Sequence, residues 1–164
     1  MKTREDLFST YGFILVFFLY YTTHAVFAGF GSPFMVDRGL SESIIGLVFA
    51  SSAIFTMVIQ AISLKAYETR SKLGARRLLL IHILLATGLT LGLAIFKGPL
   101  VTSILFSLTW ALCFSLVSIL SALYIEYKKM GLRLSFGKTR AMGSLSYALT
   151  CIGLGRIFGQ DING

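Results

Sequence analysis

Apolar residues fall in five long runs along this chain, separated by short polar stretches that are mostly basic. The runs cover about Tyr11–Gly31, Ile44–Leu64, Leu78–Phe96, Leu100–Ile125 and residues 138–158. Each has about the ~20 residues with which a helix crosses a bilayer's hydrocarbon core. The pattern therefore predicts an all-α, polytopic transmembrane protein of about five spans. The first run is too long for the apolar core of a signal peptide and lacks a small-residue cleavage site, so it reads as a retained span. Gly31, Pro33 and the charged positions Asp37, Arg38 and Glu42 predict a loop after it. Gly88 and Gly92 predict a small-residue packing pair in the third span. Lys97, Gly98 and Pro99 predict a tight turn before the fourth.

Composition agrees with the pattern and removes several function classes. Of 164 residues, 55% are hydrophobic and 13% charged, with a mean hydropathy of +0.80. A net charge of +8 would suggest nucleic acid in a soluble chain. Here the basic residues stand in short loops between spans, where they set orientation instead. Lys2 and Arg4, five basic residues within Lys65–Arg77, and Lys128, Lys129, Arg133, Lys138 and Arg140 alternate with loops holding only Arg38 and Lys97. That asymmetry predicts a multi-pass protein of the cell membrane with a cytoplasmic N-terminus, a lipid bilayer partner and no nucleic-acid partner. Cys113 and Cys151 lie inside apolar runs and suggest neither a disulfide framework nor a metal site. No carboxylate pair, metal cluster or nucleophile and base appears within the spans, so neither an enzyme nor a cofactor is expected. The stretch GLRLSFGKT superficially resembles a phosphate-binding loop, but its glycine spacing is wrong by one residue.

The chemistry concentrates at Leu134–Leu149, where a basic loop turns into the fifth apolar run. On a helix Arg140, Gly143, Ser144, Tyr147 and Cys151 fall at i, i+3, i+4, i+7 and i+11, a small and polar stripe. An arginine inside a span costs at least ~2.5 kcal/mol at the bilayer centre, and such residues mark solute paths or snorkel to the headgroups. In the first span Thr22, Thr23 and His24 form a second polar patch, with His24 either a site residue or a hydrogen-bonded packing residue. The fourth span carries Ser107, Ser115, Ser118 and Ser121, read as packing devices, and ends at Glu126.

The segment FGKTRAMGSLSYAL resembles the entry to the fifth helix of the sugar:proton symporters of the major facilitator superfamily, the lactose-permease group. Phe136, Gly137, Lys138, Arg140, Gly143 and Tyr147 fit that pattern, with tyrosine where the family typically has tryptophan. GLVFASSAIFTMVIQ resembles the second helix of the same group. SKLGARR keeps the glycine and basic residues of the family's loop between helices two and three, with Ser71 in place of its aspartate. The family's fourth-helix carboxylate falls on Ala122, and Glu126 stands one turn further on. The resemblance implies a membrane transporter, by proton-coupled symport of a sugar or similar small polar solute. It implies substrate contacts at Arg140 and Tyr147, with Glu126 matching a second acidic residue of the family; the polar stripe adds Ser144 and the polar patch of the first span adds His24 as candidate substrate-binding residues. The resemblance also implies that residues 1–164 form an N-terminal helical bundle, an incomplete six-helix half, with a missing C-terminal half or self-association as the completing partner. Such a chain alone is expected to insert without concentrating solute, as a truncated and inactive fragment. The alternative is a non-transporting membrane assembly or interaction protein whose polar stripe serves helix association.

Overall fold

A computed structural model describes residues 4–69, 74–131 and 135–160, with side chains from 11 to 157 inside those ranges. It is helical throughout: α1 Arg4–Asp37, α2 Glu42–Thr69, α3 Ala75–Ile95, α4 Pro99–Lys129 and α5 Phe136–Gln160. Four of these, α1 to α4, are long and apolar enough to cross a membrane by length and composition. The fifth has the length, at 25 residues, with more polar and small residues. An all-α, multi-pass membrane protein is the result, as the apolar runs predict. Arg70, Ser71, Lys72 and Arg133 lie outside the described residues, as do Lys2 and the GQDING end beyond Gln160.

The loop expected at Gly31 and Pro33 is helix instead. α1 continues through Pro33 to Asp37, although a proline inside a helix removes one backbone hydrogen bond. Burial of the next turn offsets that loss, because Met35 is fully buried. The helix then ends where glycine permits it. Gly39 takes φ +80, its N–H donates to the Val36 carbonyl at 2.9 Å, and the Leu40 N–H donates to the Met35 carbonyl at 3.1 Å. This is a Schellman end, with apolar Leu40 and Met35 both buried.

The chain divides into two compact units, Gly31–Glu126 and the pairing of Met1–Phe30 with Tyr127–Gly164. In the unit Gly31–Glu126, α2 and α4 meet through hydroxyls. Ser107 Oγ lies 3.2 Å from Ser51 Oγ and also reaches the Val48 carbonyl, so the serine at 107 is indeed a packing device. Phe106, Phe49 and Trp110 form an aromatic array beside it. Gly31 fits against this array because a Cβ there would come within 2.7 Å of the Phe106 ring. The expected Gly88 and Gly92 pair splits. Gly92 approaches Leu105, whereas Gly88 has open space around it. Phe34 stacks on Phe106 at 6.4 Å, and Arg38 covers Phe34 with its guanidinium while donating from Nη1 to the Phe96 carbonyl at 2.9 Å. The connection expected as a tight turn over Lys97, Gly98 and Pro99 is a short link, 96–98, with Phe96 extended, and Pro99 is instead the first residue of α4, where no N–H is needed.

Candidate functional site

The second unit brings together α1 up to Phe30, the last residues of α4, and α5. Its contact is built on small residues. Gly143 is buried beneath the Tyr21 ring, and the absent Cβ lets the two backbones approach. One turn on, Thr22 Oγ1 and Ser146 Oγ stand 2.6 Å apart, and both lie within reach of the Phe18 carbonyl, at 3.0 and 2.7 Å. Two hydroxyl protons thus serve three contacts, with the carbonyl accepting. Thr139 and Ser146 are 1% and 0% exposed, so Thr139, Gly143 and Ser146 form the buried face of α5, with Gly143 and Ser146 set against α1.

Around this contact lies an aromatic cluster with one histidine. The His24 ring sits 5.9 Å from Tyr20, 6.1 Å from Tyr21 and 5.9 Å from Tyr147, measured between centroids. Tyr147 comes from α5, and it reaches His24 because it follows the packed Gly143 by one turn.

The structure places Arg140 and Ser144 differently. Both are exposed, on a face about 100° around the helix from Thr139 and Gly143. The Ser144 hydroxyl bonds back to the Arg140 carbonyl at 3.3 Å. Of the expected stripe, then, Gly143 packs inward, Tyr147 sits at the edge with His24, and Arg140 and Ser144 stand next to that edge facing outward. Four candidate residues, Arg140, Ser144, Tyr147 and His24, lie in this unit.

Glu126 belongs to the other unit and has structural partners there. Its Oε1 accepts from the Ala75 N–H at 3.2 Å, and Tyr67 hydrogen-bonds the same carboxylate. Gly74, the N-cap of α3, offers no side chain for capping. Glu126 therefore caps α3 from α4, where a negative charge is favoured by the helix dipole.

Sequence reasoning passed over His82. It is 6% exposed, with Nδ1 2.9 Å from the Leu78 carbonyl and Nε2 3.1 Å from Ser63 Oγ. A carbonyl can only accept, so Nδ1 carries the proton and Nε2 accepts the Ser63 hydroxyl. This ties α2 to α3. A histidine in the middle of an apolar run was the signal available for it. Thr139 and Ser146 were passed over as well, because their stripe is as small and polar as the one containing Arg140. Among the described residues no group of three His, Cys, Asp or Glu is placed to hold a metal ion.

No family model, curated protein or solved structure matches the chain. The likeness to major facilitators therefore rests on the residues already quoted for it.

Proposed function

We propose that this membrane protein carries a small polar solute, a sugar or a molecule of similar chemistry, in symport with protons, as part of a transporter of the major-facilitator type. The observation that supports this most is the exposed arginine, Arg140, on a helix whose inward face is already filled. A guanidinium on a face left open in a span needs a polar counterpart, and a hydroxylated solute supplies one. Its planar fork makes paired, directional hydrogen bonds to vicinal oxygens. Ser144 adds a hydroxyl one turn away. Tyr147 and His24 supply ring faces and edges against which an apolar sugar face packs.

The test is equilibrium binding of radiolabelled sugars to the purified chain in vesicles, with a nucleoside and a small organic acid alongside. Saturable binding is expected for one of these classes, weakened about tenfold or more by Arg140→Lys, which keeps the charge but loses the fork. Helicity and membrane insertion should be unchanged. Undiminished binding by the lysine variant, or no saturable binding at all, refutes the reading and leaves this face of α5 to helix association.

A further inference from the structure

The end of α4 and the start of α5 gather positive charge. Lys128 and Lys129 occupy the last turn of α4, Lys138 the first turn of α5, and all three are exposed. From Tyr127 to Gln160 the sequence contains no aspartate or glutamate. Elsewhere in this unit the acidic residues are Glu5, Asp6 and Asp161, all in terminal positions. The first turn of α5 holds no acidic residue, although a helix start ordinarily favours one. From Tyr127 to Gln160 every formal charge is therefore positive, and the carboxylate just before this stretch, Glu126, is held by the Ala75 N–H and Tyr67.

Aromatic contacts keep the corner in place. The Tyr127 ring meets Phe13 edge-on at 6.0 Å, and Phe136 meets Phe17 edge-on at the same distance. Phe13 and Phe17 are 2% and 1% exposed, so each lysine stands within two residues of a ring seated on a buried partner. Beside the lysines, Met130 is 65% exposed, and Tyr127 and Phe136 are half-buried. Cations next to half-buried aromatics and an exposed apolar side chain suit the boundary between headgroups and acyl chains.

We propose that Lys128, Lys129 and Lys138 bind the phosphate of an anionic phospholipid headgroup, in the leaflet onto which the end of α4 and the start of α5 open. Lysine ammonium groups serve phosphate as point charges. The apolar surroundings identify the anion's source, because Met130, Tyr127 and Phe136 offer surface to an acyl chain and none to a small soluble anion. Orientation alone would require the charge but no retained lipid. Arg140, a proposed solute contact, is left out of the site.

The chain is reconstituted in phosphatidylcholine vesicles holding a minor fraction of phosphatidylglycerol and extracted gently with detergent, and retained lipid is counted by native mass spectrometry. Phosphatidylglycerol should be retained above its share of the bilayer. Retention should fall about five-fold for each of Lys128→Gln, Lys129→Gln and Lys138→Gln. It should survive replacement of all three by arginine, survive Lys97→Gln between α3 and α4, weaken in high salt, and resist millimolar glycerol phosphate. If the glutamine variants fold poorly, the arginine variant and the salt series on the unmodified chain still decide the matter. Retention in bulk proportion, salt-independent retention, full retention by a helical triple-glutamine variant, or displacement by glycerol phosphate would overturn the proposal.

Discussion

Replacing Gly143 by alanine tests the α1 and α5 contact most directly. A Cβ at 143 would fall on the Tyr21 ring, in contact with Cδ2, 2.8 Å from Cε2 and 3.1 Å from Cγ. Cγ and Cδ2 are the near end of the ring, which a small rotation cannot move away. The ring is also hemmed in by Tyr20 at 5.1 Å and His24 at 6.1 Å. The helices must therefore separate. Overpacking of this kind costs about 1–3 kcal/mol. Separation also lengthens the Thr22 and Ser146 hydrogen bonds one turn on, worth about 0.6–1.7 kcal/mol between membrane helices. Alanine's better helix propensity returns up to ~1 kcal/mol, so the net loss expected is about 1–3 kcal/mol. Reversible unfolding in mixed micelles, followed by circular dichroism, measures it. A double-mutant cycle with Tyr21→Ala removes the propensity contribution, which is common to both arms. The coupling should be about 2–4 kcal/mol, with Gly143→Ala stabilising by up to ~1 kcal/mol, its helix propensity alone, once the ring is gone. An equal loss in both backgrounds, or a stabilising Gly143→Ala in the unmodified chain, would refute the reasoning.

Three further outcomes follow from named contacts. Glu126→Ala should destabilise by about 0.5–2 kcal/mol, since the Ala75 N–H loses its acceptor, and Glu126→Gln by less; hydrogen exchange at the start of α3 is the readout, and unchanged protection there would remove the capping role. His82→Leu should cost about 0.6–2 kcal/mol by leaving the Ser63 hydroxyl without its acceptor, with Ser63→Ala nearly neutral in that background; additive losses in the same unfolding assay would argue against the pair. For orientation, in a chain freed of Cys113 and Cys151, an impermeant thiol reagent should modify Gly98→Cys from outside intact cells and spare Arg76→Cys, and the reverse pattern would invert the arrangement expected from the basic loops.

The five helices were legible in the sequence because a span is fixed by the length of an apolar run and by the need to satisfy every backbone group internally. The α1 end, by contrast, was misplaced. Gly31 and Pro33 are local signals for a loop, yet burial of Met35 and the close fit of Gly31 beneath Phe106 carry the helix onward. Of the candidate residues, Tyr147 and His24 meet, Arg140 and Ser144 stand beside them on an outward face, and Glu126 caps α3, a placement that residue spacing on single helices does not contain.

What the sequence determined by itself is the class of protein, the number of helices and the uneven distribution of charge between loops. Which face of each helix packs was decided only in the tertiary structure. In a soluble protein the apolar face marks the core, but lipid and protein interior are equally apolar, so hydrophobicity does not distinguish them. α3 illustrates this by exposing Leu84 and Ile95, each at 71%, while burying His82 at 6%. Close approach and hydrogen bonding choose the face instead, and they depend on the neighbour. On α5 the stripe of Thr139, Gly143 and Ser146 packs because α1 offers Tyr21, Thr22 and the Phe18 carbonyl opposite it. One residue further round, Arg140 and Ser144 are left facing outward.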